Sequence, residues 1–458
     1  MEENKNLNLH EAELVSEETE FRREISLFGG ASILAGIMIG GGIFYLGSYV
    51  MMRTGYSLGM CLLAWILGGV VCMLGGLCYA ELGAMMPKAG GKLIYLNEAY
   101  HPVVGFISSF SDWLIGSPGS ISAGALALAS MFAIGGTTGK VFATAVAVVF
   151  TVINLLGVKQ GSLLTNITVI GKVIPILIIL FAALFKGNSG NTLSMTPAFP
   201  EGTSGNFFGM VAFATVATLW AYEGWTNLNT VAEEVKNPKR NLPLSIILAI
   251  GAITVLYSLF NYAIWKVLPL NEMHELVEGG TYFLGTEAAK RIFGAAGATL
   301  VSVGMAISQL GSINSMTLAF PRLGYAMAKE GHFFKGLGVL NKNAVPANAM
   351  WVQLVLTLLL IWIRSLDQLT NLIVFTGQLT NVLIILAVLI MRKKMPEMPR
   401  PSKVWGGVVT IVLAVLVNVA LMWNTFIEDR TSAVMGLGVW VIGAVVYFIF
   451  DAKNKNAK

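Results

Sequence analysis

Charged residues are scarce in this chain of 458 residues: Asp, Glu, Lys and Arg make up 12% of it, whereas 55% is apolar. A soluble domain usually devotes about a quarter of its residues to charged side chains. Half of that proportion leaves too little polar surface to cover a globule of this size. The composition therefore excludes an ordinary soluble fold and predicts an all-α polytopic membrane protein, in which each spanning helix needs about 20 apolar residues.

Residues that form disulfide, metal and catalytic sites are also few. Cys61, Cys72 and Cys78 lie in one apolar stretch, which excludes an extracellular disulfide framework. The chain has only four histidines and contains no HExxH, CxxC or P-loop pattern. An intramembrane enzyme would need ionisable groups inside its apolar stretches, and very few occur there. We therefore expect no catalytic residue, no metal and no cofactor.

The N-terminal 26 residues are acidic, since residues 1–21 carry seven Glu and one Lys. A signal peptide instead begins with a basic region and ends at a small-residue cleavage site. We therefore expect residues 1–26 to be a retained, largely disordered cytoplasmic tail.

Apolar runs between Pro, Gly and charged residues predict about twelve membrane-spanning helices. The longest outer loop is expected at 269–292, with room for a short helix. The predicted spans are residues 28–51, 57–85, 103–132, 140–156, 164–185, 207–232, 242–268, 293–321, 346–363, 369–391, 404–424 and 432–450.

The distribution of Lys and Arg predicts the orientation of these spans. With the N-terminus inside, 21 of the 30 Lys and Arg residues fall in inner segments and 8 in outer ones, and Lys172 lies within the fifth span. This excess agrees with the positive-inside rule. We expect a multi-pass protein of the cell membrane, of a bacterial inner membrane, with both termini cytoplasmic. Its basic residues then face the lipid bilayer rather than a nucleic acid.

Two predicted spans contain glycine near their middle: GIMIGGGIF at 36–44 in the first and LWAYEGW at 219–225 in the sixth. The two segments are about 184 residues apart, which corresponds to one five-span unit. Glycine-interrupted spans at matching positions of two halves are typical of a transporter with a binding site between inverted repeats.

The glycine run of the first span admits two interpretations. If the helix unwinds at Gly40, Gly41 and Gly42, its second half presents free N–H groups and the positive end of the helix dipole, which suit a carboxylate. Alternatively, Gly36 and Gly40 form a GxxxG pattern that lets two helices pack closely.

The sixth span also admits two interpretations. A helix that ends at residues 220–223 offers free carbonyl groups and the negative dipole end, which suit an ammonium group. Alternatively, Trp220, Tyr222 and Trp225 form an aromatic belt or a packing surface. Together, the anion-binding first span and the cation-binding sixth span would form a receptor for an amino acid zwitterion.

Lys172 is the most informative single charge, because it lies well inside the fifth predicted span. A lysine at the centre of a span costs about 2.5–3.5 kcal/mol on insertion scales, so we expect it to face the bundle interior with a partner. The alternative is that its side chain extends to the inner membrane surface.

Five segments together resemble the amino acid–polyamine–organocation superfamily, in particular its L-type amino acid exchangers and their bacterial serine/threonine exchanger relatives. The segments occur in family order and cover the first eight spans. They are GIMIGGGIF (36–44), CYAELGAMMPKAGGKLIYLNEAY (78–100), IGKVIPI (170–176), LWAYEGWTNLNTVAEEVKNPKRNLP (219–243) and GSINSMTLAFPRLGYAMAKEGHFF (311–334).

The resemblance implies a LeuT-type fold of five plus five inverted-repeat helices, with two further helices at the end. The transport core would be residues 27–392, with repeats at 28–185 and 207–391. Residues 393–458 would hold the last two spans and a short cytoplasmic tail.

The resemblance also implies the site residues. The substrate carboxylate would bind N–H groups of Gly41 and Gly42, beside Gly40, and the ammonium group would bind carbonyls of Met38, Trp220, Ala221 and Glu223. Lys172, near Gly40 and Ser312, would stand where sodium-coupled relatives hold sodium. Two positions depart from the family: Gly41 replaces a small hydroxyl residue, and Trp220 replaces a Phe.

The function that this resemblance implies is sodium-independent exchange of neutral, small L-amino acids by alternating access. The alternatives are a proton-coupled amino acid importer that uses Glu223 or Lys172, and a membrane amino acid sensor. Eukaryotic relatives carry a disulfide-linked subunit through a Cys between the third and fourth spans. Residues 133–140 contain no Cys, so we expect no such subunit.

Overall fold

The computed structural model describes residues 7–132, 134–200, 206–363, 366–428 and 430–455. These residues form α-helices, short 3-10 segments and one π-helical turn, and no strand occurs among them. An isolated parallel bridge joins Ile25 to Val235.

The first half of the chain ends with a long helix that contains Lys172. A π-helical turn at Asp112–Gly116 joins the helices Pro102–Ser111 and Ser117–Met131 into one continuous helix. The α-helices are α1 (Leu9–Val15), α2 (Leu27–Met38), α3 (Gly42–Arg53), α4 (Leu58–Met85), α5 (Lys92–Ala99), α6 (Pro102–Ser111), α7 (Ser117–Met131), α8 (Gly136–Leu155) and α9 (Val158–Lys186).

The second half begins after residues 201–205 and includes 3-10 helices at Asn227–Glu234 and Lys335–Gly338. The predicted loop at 269–292 holds two short helices rather than one. The α-helices are α10 (Phe207–Tyr222), α11 (Pro238–Val267), α12 (Leu270–Glu278), α13 (Leu284–Phe293), α14 (Ala295–Ala319), α15 (Pro321–Lys329), α16 (Ala347–Ile363), α17 (Leu366–Lys394), α18 (Gly407–Glu428) and α19 (Arg430–Lys455).

The surface of the helical bundle is suited to lipid. Peripheral helices expose large apolar side chains such as Val409 and Val441, which lipid solvates and water does not. Shorter apolar helices accompany the long ones. In the described residues, six helices are long and apolar enough to cross a membrane: Leu58–Met85, Gly136–Leu155, Pro238–Val267, Ala295–Lys329, Phe375–Lys394 and Ala433–Ala452. The chain is therefore a multi-pass helical membrane protein.

Helix α4 packs closely against α10 and α11 because glycines face both neighbours. A Cβ atom on Gly68 or Gly69 would lie 2.1 Å from the hydroxyl oxygen of Thr218 or Thr254. Small residues at such contacts let membrane helices approach each other. This packing holds α10 and α11 in place around the interrupted first span.

The N-terminal tail is not disordered over its described residues, so that expectation is wrong. Helix α1 begins with a capping box in which Asn8 and Glu11 bond to each other's backbone N–H groups. Leu14 and Val15 are buried in the main apolar core. The apolar residues between the acidic ones are buried against the bundle and hold the tail in place. The high glutamate content of the tail gave no indication of this.

A buried ion pair joins α15 to the 3-10 helix that follows α10. Arg322 Nε and Nη2 donate to the Glu234 carboxylate at 2.6 and 3.1 Å. Both side chains are at most 1% exposed. Removal of one partner would leave a buried charge without compensation.

Glu234→Gln should therefore destabilise the protein by about 3–5 kcal/mol, seen as a lower melting temperature in detergent. The exposed Glu18→Gln makes the same charge change and should melt like the wild type. Arg322→Met combined with Glu234→Met should recover much of the loss, because no charge is then buried alone. A Glu234→Gln protein that melts like the wild type would contradict this account of the pair.

Candidate functional site

The first interruption lies between α2 and α3, as the glycine pattern predicts. Helix α2 ends at Met38, Ile39 leaves helical geometry with ψ 80°, and α3 begins at Gly42 without a side-chain cap. The first N–H groups of a helix have no acceptor within it. The geometry at Gly41 and Gly42 is therefore compatible with their predicted role toward a carboxylate, which remains a prediction.

The second interruption follows Tyr222, where α10 ends. Gly224 has φ +118°, a conformation that glycine adopts without the steric cost of a side chain. A Cβ atom at Gly224 would lie 2.4 Å from Cγ2 of Ile37. The two interruptions therefore lie against each other, and glycine is needed at their point of contact.

Lys172 is fully buried, and its ammonium group reaches the first interruption. Nζ donates to the carbonyls of Gly36 at 2.8 Å and Ile39 at 2.6 Å. The alternative that its side chain extends to the membrane surface is therefore wrong. The carbonyl acceptors are those of Gly36 and of Ile39, the residue before Gly40.

Two serines of α14 complete this contact. Ser312 Oγ donates to the Gly36 carbonyl at 2.7 Å, and Ser308 Oγ donates to the Ile39 carbonyl at 2.5 Å. Ser308 was not among the predicted site residues, although it lies four residues before Ser312 and so on the same helix face. The end of α2 is thus held by both α9 and α14.

Tyr257 of α11, which is not among the predicted site residues, links the two interruptions. Its hydroxyl bonds to the carbonyls of Met38 at 2.8 Å and Ala221 at 3.2 Å. Each carbonyl has a second lone pair, so the predicted role of Met38 and Ala221 as acceptors for an ammonium group remains a prediction. A tyrosine in an apolar helix resembles ordinary core packing, so the sequence carried no signal for this role.

Gln309 is a second polar residue that the sequence analysis missed. A Cβ atom on Gly40 would lie 3.4 Å from Gln309 Oε1 and 3.9 Å from Ser312 Oγ. The Gln309 amide therefore reaches the non-helical segment from α14. It can hydrogen-bond a polar ligand held there.

Glu223 is half-buried at the end of α10. Lys92 of α5 pairs with Asp112 of the π-helical turn. No ion pair to Glu223 is recorded among the described residues. The side chain of Trp220 lies outside the described residues, so its predicted role remains a prediction.

A Gly-x-Ser-x-Gly pattern at residues 55–59 has a structural rather than a nucleophilic role. Ser57 caps the start of α4, and its Oγ donates to the Ser194 carbonyl at 2.8 Å. Such a hydrogen bond holds the loop around Ser194 against α4.

The arrangement brings the ends of two interrupted helices together. N–H groups at the start of α3 lie near carbonyls at the end of α10, so opposite charges of one zwitterion can be satisfied together. A family model for amino acid permeases matches residues 25–450. The chain belongs to the amino acid permease family.

Full-length relatives agree with this assignment. The serine/threonine exchanger SteT of Bacillus subtilis is 32% identical, over 94% of this chain and 98% of SteT. The human b(0,+)-type amino acid transporter 1 is 31% identical, over 94% of this chain and 88% of that protein. The human cystine/glutamate transporter is 29% identical, over 96% of this chain and 88% of that protein. This family member is a transporter of amino acids rather than an enzyme, as the motif resemblance predicted.

Gly42→Val should abolish amino acid binding. A Cβ atom at Gly42 would already lie 3.1 Å from Leu46 Cδ1 and 3.5 Å from Ala221 Cα, so the two further methyl groups would block a ligand's approach to the backbone. Binding of a radiolabelled amino acid to the purified protein measures this.

The matched control is Gly438→Val in α19, where a Cβ atom meets nothing within 4 Å. This variant should bind like the wild type. Normal binding by a folded Gly42→Val protein would show that the start of α3 is not the ligand site.

Proposed function

We propose that this permease exchanges small neutral L-amino acids across the cell membrane by alternating access, without sodium. The observation that carries the proposal is the Lys172 ammonium group on the carbonyls of Gly36 and Ile39. The similarity to SteT, named a serine/threonine exchanger, supports both antiport and a small substrate.

The proposed topology has twelve spans in a LeuT-type arrangement. Inverted repeats at 28–185 and 207–391 form the transport core, 27–392, and residues 393–458 add two spans. The interrupted helices lie at corresponding positions of the two repeats, which supports this arrangement. With the N-terminus and C-terminus cytoplasmic, the excess of Lys and Arg faces the inside of a bacterial inner membrane.

The proposed substrate site uses backbone atoms at both interruptions. The N–H groups of Gly41 and Gly42 bind the carboxylate beside Gly40. The ammonium group binds backbone carbonyls of Met38, Trp220, Ala221 and Glu223. The Tyr257 hydroxyl, bonded to the carbonyls of Met38 and Ala221, holds the two interruptions together. These backbone atoms recognise the carboxylate and ammonium groups that all amino acids share. Amino acids with different side chains can therefore bind the same site and be exchanged for one another.

Lys172 is proposed to replace a coupling ion. Carbonyl oxygens at an unwound helix and serine hydroxyls such as Ser308 and Ser312 form an oxygen-rich site of the kind that binds a hard cation. The ammonium group already places a positive charge there. A permanently tethered cation stabilises the end of α2 without sodium.

We propose that the protein works without a disulfide-linked subunit. Cys61, Cys72 and Cys78 are free and buried within α4. A buried thiol inside the bundle cannot reach a cysteine of another chain.

Counterflow in proteoliposomes tests exchange directly. Uptake of labelled serine should require unlabelled amino acid inside the vesicles and should be unchanged when choline replaces sodium.

The second candidate function is proton-coupled import. It is favoured by Glu223, a carboxylate at the site for which the described residues show no ion pair. It predicts uptake into empty vesicles driven by an imposed proton gradient and lost in Glu223→Gln. That result would overturn exchange.

Lys172→Ala should change the kinetics on one membrane face more than on the other. Ser308 and Ser312 still donate to the two carbonyls, so we expect a loss of about 1–2 kcal/mol in the state that uses the ammonium contact. This corresponds to roughly a five- to thirtyfold shift between inward-facing and outward-facing states. Right-side-out and inside-out vesicles measure apparent affinity on each face.

Lys186→Ala, at the end of the same helix, is the control and should behave like the wild type. Strict sodium dependence of the wild type would rule out the role of Lys172. So would a Lys172→Ala protein with unchanged kinetics on both faces.

A further inference from the structure

Residues 7–26, here called the N-terminal segment, lie across the end of the bundle formed by the 3-10 helix 227–234, α15 and the connection 86–91. Backbone hydrogen bonds fix the segment in place: the Ile25 N–H donates to the Glu234 carbonyl at 2.9 Å, and the Lys236 N–H donates to the Ile25 carbonyl at 2.8 Å. Ile25 and Val235 are fully buried. The segment therefore belongs to the folded structure rather than to a solvated tail.

Phe21 is the apolar anchor of the N-terminal segment. It is 5% exposed, and its ring meets Tyr325 edge-on at 5.0 Å between ring centres. It also packs with Ala89 in a small cluster separate from the main core. One side chain thus contacts both α15 and the connection between α4 and α5.

Polar contacts surround this anchor. The Glu20 carboxylate accepts from Lys329 at 2.8 Å and from the Tyr325 hydroxyl at 3.2 Å. The hydrogen bond from Lys329 lowers the pKa of Glu20 below its ordinary value. Thr19 Oγ1 donates to Glu233 at 2.7 Å. Polar contacts of Glu20 and Thr19 therefore hold the segment on both sides of Phe21.

The position of the N-terminal segment ties it to the substrate site. Ile25 lies two residues before α2, the helix that ends at the first interruption. Movement of the beginning of α2 away from α15 must break the Ile25 pairing and pull Phe21 from its pocket. The buried Arg322–Glu234 pair lies at the same end of the bundle.

We propose that the N-terminal segment is a latch that closes this face of the permease and must release before substrate can leave through it. The proposal rests on alternating access, the proposed function above. The latch, which lies outside the binding site, sets the equilibrium between the inward-facing and outward-facing states. Weakening it should favour the state open at this face, which lowers the apparent KM there and raises it at the opposite face.

Hydrogen–deuterium exchange tests closure without any transport. Phe21→Ala removes the anchor and should raise amide exchange in peptides covering residues 20–26 and 235–240 by about tenfold. Glu20→Gln removes a largely exposed ion pair and should raise amide exchange in the same peptides by roughly two- to fivefold. Peptides of α18 should be unchanged in both variants.

Glu18→Gln is the matched control, because it makes the same charge change two residues from Glu20 and its side chain is exposed. It should exchange like the wild type. Unchanged amide exchange in a folded Phe21→Ala protein would overturn the latch. If amide exchange rises in Phe21→Ala but the wild-type protein transports no amino acid, the latch is upheld and the proposed function is refuted.

Cross-linking tests whether release is required. In Glu20→Cys/Lys329→Cys, a reducible bifunctional thiol reagent should join the segment to α15 and stop exchange, and a reducing agent should restore it. The native cysteines are buried, and each single variant treated alike should stay active. Wild-type exchange by the fully cross-linked protein would overturn the proposal.

Discussion

The interaction on which the rest of the site depends is the pairing of the Lys172 ammonium group with the carbonyls of Gly36 and Ile39. A helix that stops inside a membrane-embedded bundle exposes carbonyls that no water can satisfy. Lys172 and two serines of α14 satisfy them, so α2 can end without disrupting the bundle. Once α2 ends there, α3 begins separately, and its first N–H groups have no acceptor within the helix.

The two interruptions form one unit because Tyr257 bonds to a carbonyl of each. A single hydroxyl between Met38 and Ala221 fixes the distance between the end of α2 and the end of α10. Small residues of α4 allow α10 and α11 to approach closely enough for this contact. The geometry of the proposed substrate site therefore depends on the packing of α4 against α10 and α11.

The sequence was sufficient to locate the interruptions, because Gly40 to Gly42 and Gly224 weaken helices wherever they occur. It also placed Lys172 inside the bundle, because an unpaired cation in lipid is too costly. It could not identify Tyr257 or Gln309, whose roles arise only when distant helices meet. The order of the N-terminal segment was missed for a related reason: Phe21 and Ile25 are two apolar residues in an acidic stretch, and their burial depends on α15 and the chain after residue 234.

The central claim is that backbone N–H groups released by the first interruption bind the substrate carboxylate. Calorimetric titration of the purified permease with L-serine, L-serinamide and ethanolamine tests it most directly. Loss of a charge-assisted interaction with these groups should weaken binding of the amide and of ethanolamine by about a hundredfold relative to serine. Serinamide that binds as tightly as serine would contradict the account, because it lacks the anion that the start of α3 is proposed to hold.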